Sequence, residues 1–119
     1  MTPSPESQSS TVALEIAPQD VARMLEHGED FLFMDCRKPE ECETAHIPGT
    51  TLIPMHDLDV HLPELAKDKQ RRIVVHCHKG RRSMTVTMML RDRGFTHVQS
   101  MAGGIDRWSN EIDPSVPKY

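Results

Sequence analysis

Short apolar segments alternate regularly with helical patterns along this chain. Strands separated by helices favour a parallel sheet that is covered on both faces and joined by right-handed crossovers. We therefore predict an α/β domain with a central, parallel, five-stranded sheet flanked by helices on both faces. The predicted strands are residues 12–16, 31–34, 51–53, 73–75 and 97–101.

The predicted helices carry apolar stripes, and two of them stop at a glycine. The first begins near Pro18, which suits a first helical turn, and ends at Gly28. The second spans residues 83–93, and the third spans residues 104–112. The apolar stripe of the first helix is Val21, Ala22, Met24 and Leu25. The buried side of the second is expected to hold Met84, Met88, Met89 and Leu90.

Length and composition exclude several classes of protein. With 119 residues, 37% of them hydrophobic, the chain has room for one domain, predicted at residues 12–119 behind a flexible polar tail at residues 1–11. No apolar run approaches the ~20 residues that a membrane span needs. The net charge of −4 is opposite to that of a typical nucleic-acid binder. The first residues lack the basic and apolar parts of a secretory signal, so we expect a reducing, cytoplasmic location.

The loop after the fourth predicted strand carries the clearest chemical signal. Cys77 stands between that strand and a helix, in a loop whose backbone N–H groups, with the helix dipole, favour a thiolate. Lys79, Arg81 and Arg82 add positive charge in a chain that is acidic overall. We predict a nucleophilic Cys77 that reacts with small anions; the alternative is an ordinary polar loop with a buried thiol. The predicted anion-binding set is His78, Lys79, Gly80, Arg81, Arg82 and Ser83.

Neither a metal nor another cofactor is expected at this loop. The three cysteines form no CxxC pair, which removes the strongest zinc signature. If the strand continues, His76 and His78 point to one face and Cys77 to the other, so the three cannot share one tetrahedral ion.

In its motifs the chain resembles the rhodanese domains, a family of sulfurtransferases. The resemblance covers about residues 12–113. The loop pattern Cys-x-x-Gly-x-Arg-Ser is met by Cys77, Gly80, Arg82 and Ser83. The upstream pattern, Asp-x-Arg-x-x-x-Glu and then Gly-His-Ile-Pro-Gly-Ala, is met by Asp35, Arg37, Glu41, His46, Ile47, Pro48 and Gly49. The departures are Cys42, Ala45 and Thr50.

The resemblance implies that the chain is a thiosulfate sulfurtransferase. In the family the loop cysteine takes the outer sulfur of a donor such as thiosulfate, holds it as a persulfide and passes it to cyanide or a thiol. Cys77 is the matching residue. A thiolate nucleophile splits one difficult transfer into two easier steps.

Three alternatives remain beside this prediction. Residues 112–119 resemble the end of rhodanese domains fused behind ubiquitin-activating-like adenylyltransferases, which implies a carrier protein as sulfur acceptor in cofactor or tRNA thiolation. A non-catalytic regulatory module would keep the fold alone, but such modules usually lose the loop cysteine, which is present here. A phosphatase or arsenate reductase of this fold uses Cys-x5-Arg, and the loop from Cys77 to Arg82 is one residue short of that pattern.

Residues outside the loop are assigned supporting roles. Asp35 and Arg37 are expected to fix the neighbouring loop through hydrogen bonds and ion pairing. Family topology places the second strand beside the fourth, so Cys36 is a candidate resolving thiol that could form a disulfide with Cys77. Its alternative role is that of a small core residue. Cys42 is expected to serve packing.

Overall fold

The structure, a computed structural model, describes residues 12–119, and the tail predicted at residues 1–11 lies outside this range. It contains the predicted five-stranded sheet, in the order β1-β5-β4-β2-β3, with every neighbouring pair parallel. The prediction of an α/β fold is therefore confirmed. The strands are β1 (Glu15–Ile16), β2 (Leu32–Asp35), β3 (Thr51–Leu52), β4 (Ile73–His76) and β5 (Val98–Met101).

Five α-helices connect and cover the strands in the described part of the chain. Two of them, at Pro39–Thr44 and Leu58–Leu65, were not among the predicted helices. Pro39 begins α2, where its missing N–H costs no hydrogen bond. The helices are α1 (Pro18–Glu26), α2 (Pro39–Thr44), α3 (Leu58–Leu65), α4 (Arg81–Asp92) and α5 (Gly104–Glu111), with short 3-10 turns at Met55–Asp57 and Ala66–Asp68.

The sheet separates two apolar cores, because successive strand side chains point to opposite faces. Phe33 and Val74 pack with Trp108 of α5 on one face. Met34 and Val75, the next residues along the same strands, pack on the other face with side chains of α3 and α4. The central strands β2 and β4 are thus covered on both faces, which explains why each has three apolar residues in succession.

The limits and buried faces of several elements differ from the sequence-based expectations. Helix α4 begins at Arg81 rather than at residue 83, because the left-handed Gly80 (φ 107°) ends the preceding loop. Its buried stripe follows helical spacing through Ser83, Val86, Thr87 and Leu90. The expectation that Met88 is buried is wrong, since its side chain falls between these positions and is 53% exposed. Leu25, expected in the apolar stripe of α1, is 39% exposed for the same reason.

Within residues 12–119, no helix has both the length and the apolar character that a membrane crossing requires.

Candidate active site

Cys77 follows β4, the central strand of the sheet, and its side chain is buried at the carboxyl edge. The backbone N–H of Gly80 donates a hydrogen bond to Cys77 Sγ at 3.1 Å. The hydroxyl oxygen of Ser83 lies 3.4 Å from the same sulfur and 2.7 Å from the hydroxyl of Ser100. The sulfur therefore sits at the start of α4, among polar hydrogen atoms that favour negative charge.

The thiol of Cys36 lies beside this sulfur, and each of the two cysteines changes the pKa of the other. Hydrogen bonding from the Cys36 thiol holds the pKa of Cys77 well below its usual range, with further lowering by Ser83 and Gly80. Burial opposes this effect but does not overcome it. The same hydrogen bond, together with burial, raises the pKa of Cys36. These opposite shifts of the two pKa values favour a Cys77 thiolate beside a protonated Cys36.

The loop that contains Cys77 is held in place by hydrogen bonds from the beginning of α5. The N–H groups of Ile105 and Asp106 donate to the carbonyl oxygens of Cys77 and His78, at 2.9 and 3.0 Å. These carbonyls turn towards α5, which leaves loop N–H groups to face the sulfur. Gly104 makes the approach possible: a Cβ there would lie 2.5 Å from the carbonyl oxygen of His78. This role of Gly104 was not predicted, and the only signal for it in the sequence is the pair Gly103-Gly104.

The three cationic side chains of the loop are placed differently. Arg82 forms a two-pronged ion pair with Glu41 of α2, with nitrogen–oxygen distances of 2.6 and 2.9 Å. Lys79 and Arg81 are exposed, and neither forms an ion pair with another residue in the range 12–119. The two exposed cations therefore add positive charge to the surface of the loop, whereas Arg82 ties the loop to α2.

Tyr119 lies over the loop, a placement for which the sequence analysis gave no indication. Its ring stacks on that of His78, with centroids 4.0 Å apart and an angle of 10° between the planes. Its hydroxyl accepts a hydrogen bond from Arg37 and donates one to Glu41, both at 2.8 Å. The segment that leads to it is anchored by Val116, which is buried and whose carbonyl accepts a hydrogen bond from Ser109 at 2.6 Å.

Asp35 and Arg37 form a buried ion pair next to the loop. Arg37 donates to both carboxylate oxygens of Asp35, at 2.9 and 2.7 Å, and to the carbonyl oxygen of Ala45 at 2.8 Å. Burial acts to raise the pKa of Asp35, but the hydrogen bonds and the charge of Arg37 contribute to lowering it overall. The pair joins the end of β2 to the turn after α2, and it thereby restrains the backbone on both sides of Cys36.

The two histidines that flank Cys77 point in different directions. His76 is buried, and its ring meets that of Phe33 edge-on at 5.5 Å. Burial lowers the pKa of His76, which favours its neutral form. His78 instead stacks on Tyr119. Among the described residues, no group of three His, Cys, Asp or Glu side chains is arranged to hold a metal ion.

A cavity of about 640 Å³ lies beside β3, at the edge of the sheet, and none of the residues that contact Cys77 Sγ lines it. Leu32 and Ile73, the first residues of β2 and β4, contribute to its wall, whereas Cys77 follows the last residue of β4. The cavity contains none of the residues of the candidate set.

The chain is similar to rhodanese-like domains and to proteins named sulfurtransferases. A model of the rhodanese-like domain matches residues 17–111. A sulfurtransferase of Allochromatium vinosum is 32% identical over 86% of this chain and 94% of its own length. The adenylyltransferase and sulfurtransferase MOCS3-1 of Zea mays is 27% identical over 99% of this chain, which spans only 28% of that protein. The human single-domain sulfurtransferase TSTD1 superposes with a TM-score of 0.75 at 23% identity, over 84% of this chain and 98% of its own.

Proposed function

This chain belongs to the rhodanese family, and from that premise we propose that it transfers sulfane sulfur from thiosulfate through a Cys77 persulfide to cyanide or a thiol. The observation that carries the proposal is the environment of Cys77 Sγ. A thiolate beside the N–H of Gly80 and the hydroxyl of Ser83 has a reason to be nucleophilic at neutral pH.

The first half-reaction transfers sulfur to the protein. The Cys77 thiolate attacks the outer sulfur of thiosulfate and forms a new S–S bond. The bond between the two sulfur atoms of thiosulfate breaks, and its electron pair leaves with sulfite. The terminal sulfur of the persulfide then carries the negative charge, which the N–H groups of the loop and the start of α4 stabilise.

The second half-reaction returns the thiolate. Cyanide attacks the terminal sulfur, the S–S bond of the persulfide breaks, and its electron pair returns to Cys77 as thiocyanate leaves. Lys79 and Arg81 would attract the anionic donor, because both are exposed at the loop and without an ion-pair partner in the described chain. Arg82 would contribute less charge, since Glu41 already neutralises it, and would instead hold the loop in shape.

A carrier protein is the second candidate acceptor. Two observations favour it: the Zea mays relative is named an adenylyltransferase and sulfurtransferase, and Lys79 and Arg81 are exposed cations in the loop that follows Cys77. Such a loop would suit the carboxylate end of a carrier chain. The test is transfer of labelled sulfur from the loaded protein to a peptide that ends in a free carboxylate. The matched control is the same peptide with an amidated end.

The central experiment compares single cysteine variants in the thiosulfate-to-cyanide assay. We expect Cys77→Ser to abolish transfer and to stay folded, because serine is close to cysteine in size. Cys42→Ser, the matched control, should keep most of the activity, since Cys42 is half-buried in α2 and makes none of the contacts of the site. In wild type, alkylation immediately after mixing with thiosulfate should trap one added sulfur atom on Cys77. Turnover by Cys77→Ser, or a sulfur atom trapped on Cys42, would refute the proposal.

The same preparation tests the phosphatase alternative. The loop has four residues between Cys77 and Arg82, so it is too short to surround a phosphoryl group as a Cys-x5-Arg loop does. We expect no hydrolysis of aryl phosphates by wild type. Phosphatase turnover that disappears in Cys77→Ser would show that the loop has been assigned the wrong chemistry.

A further inference from the structure

Two thiols meet at the carboxyl edge of the sheet. In the parallel pairing of β2 with β4, Asp35 lies opposite His76. The next residues along the two strands are Cys36 and Cys77, and the N–H of Cys36 donates to the carbonyl oxygen of His76 at 3.0 Å. Pairing therefore continues past the strand ends and brings the two cysteines side by side.

Their separation suits a disulfide bond. Neighbouring strands lie about 4.8 Å apart, which is within the range of about 4.4–6.8 Å between the Cα atoms of disulfide-bonded cysteines. Both side chains belong to the same apolar cluster, so they point to the same face of the sheet. Each side chain is only 1% exposed, so thiols in solution have little access to Cys36, whereas Cys77 lies next to it.

We propose that Cys36 is a resolving thiol, which converts the Cys77 persulfide into a Cys36–Cys77 disulfide and releases hydrosulfide. This inference rests on the proposed function, because the persulfide is its starting material. The sulfur of Cys36 attacks Sγ of Cys77, and a bond forms between the two. The bond from Sγ to the outer sulfur breaks, and its electron pair leaves on that sulfur. The proton of Cys36 leaves with it as HS⁻, so the sulfur of Cys36 is oxidised while the outer sulfur is reduced.

The surroundings of the two sulfurs set the direction of this step. The hydrogen-bond donors of the loop, Gly80 and Ser83, contact Cys77, so the donor sulfur is loaded there and not on Cys36. The thiol of Cys36 remains protonated beside it, and therefore carries the proton that the departing sulfur needs. Cys36 faces Sγ from the neighbouring strand, whereas the outer sulfur would extend towards the loop.

A soluble dithiol would complete a cycle. By thiol–disulfide exchange it would reduce the internal disulfide and restore both thiols. The net reaction is the reduction of thiosulfate to sulfite and hydrosulfide at the expense of the dithiol. Without a dithiol, each molecule would release one sulfide and stop in the disulfide form. Cyanide would compete with Cys36 for the same persulfide.

The test follows the products of a single loading. Reduced, desalted protein is mixed with thiosulfate in the absence of cyanide; released sulfide is measured, and the mass of the intact protein is determined. We expect wild type to release one sulfide per chain and to lose two hydrogen atoms, with peptides containing Cys36 and Cys77 cross-linked. Cys36→Ser keeps a hydrogen-bond donor but cannot form the bond, so it should release no sulfide and retain one added sulfur atom. Cys42→Ser should behave like wild type.

The possible failures are distinguishable. A wild-type protein that keeps its added sulfur and releases no more sulfide than Cys36→Ser would overturn the resolving role, while the persulfide itself would support the proposed function. If neither protein gains sulfur, releases sulfide or forms the disulfide, the proposed function is refuted, and the resolving role with it. Cys36→Ala provides a second variant should Cys36→Ser fail to fold, and it must likewise retain sulfur. A far-UV circular dichroism spectrum and a urea midpoint close to those of wild type show that either variant is folded.

Discussion

Substitution of Gly104 by alanine tests whether the beginning of α5 holds the loop that contains Cys77. Gly104 has a φ of 59°, in the left-handed region that alanine enters at a cost of roughly 1–2 kcal/mol. Its new Cβ would also lie 2.5 Å from the carbonyl oxygen of His78 and 2.6 Å from that of Cys77. These contacts are with backbone atoms, so a side-chain rotation cannot relieve them.

The expected loss of stability has two contributions. Overpacking in a close-packed region costs about 1–3 kcal/mol, and the backbone conformation adds the 1–2 kcal/mol given above. Their sum, roughly 2–5 kcal/mol, is a large share of the ~5–15 kcal/mol that stabilises a typical domain. Gly28→Ala is a matched control: its φ is 62°, but a Cβ there would meet no atom within 4 Å. That variant should lose only the backbone contribution.

Urea unfolding of both variants measures the difference, and alkylation of Cys77 by iodoacetamide reports on the loop. We expect Gly104→Ala to be clearly less stable than Gly28→Ala and to be alkylated more slowly, because displaced carbonyls disturb the N–H groups that face the sulfur. Equal free energies of unfolding in the two variants, with an unchanged alkylation rate, would refute the role assigned to α5.

Three further predictions concern charge and buried polar groups. Replacing Lys79 and Arg81 together by alanine should raise the apparent KM for thiosulfate, and added salt should weaken wild type more than the variant, because salt screens the attraction of exposed charges. Hydrogen bonding from Arg82 lowers the pKa of Glu41 to about 2 from an ordinary 4.5. The ionised carboxylate therefore stabilises the fold fully above pH 4.5, and this contribution is lost as pH falls towards 2. Glu41→Gln should destabilise the protein more at about pH 7 than at about pH 3, as measured by urea unfolding. Thr87→Val should stabilise the fold by about 1 kcal/mol, since the buried hydroxyl of Thr87 has no hydrogen-bond partner in residues 12–119.

Each of these predictions has a control or an outcome that contradicts it. For the loop cations, Lys67→Ala with Arg71→Ala removes the same charge from exposed positions that line the separate cavity; an equal rise in KM there would argue against local attraction. For Glu41, the same loss of stability at both pH values would show that its carboxylate does not act through its charge. For Thr87, a lower urea midpoint for the valine variant would indicate that the hydroxyl makes a stabilising contact.

Local patterns in the sequence were sufficient for the order of the strands and for the strand–loop–helix segment that contains Cys77. A β-branched segment followed by Cys77, a left-handed Gly80 and a helix is a continuous stretch of chain, so neighbouring residues decide its conformation. The exposure of Met88 could not be obtained in this way, because apolar character alone does not say which side of α4 meets the sheet.

The partners of the loop come from distant parts of the chain, and only the tertiary structure brings them together. The ion pair of Arg82 with Glu41 joins residues of two separate helices, and Tyr119 reaches His78 only because the chain folds back across α5. The sequence, through its resemblance to a family, placed Cys36 near Cys77, but the register of β2 against β4 makes them direct neighbours. Such contacts depend on how the elements pair and pack with one another, and the hydrophobic periodicity within one segment does not determine this pairing.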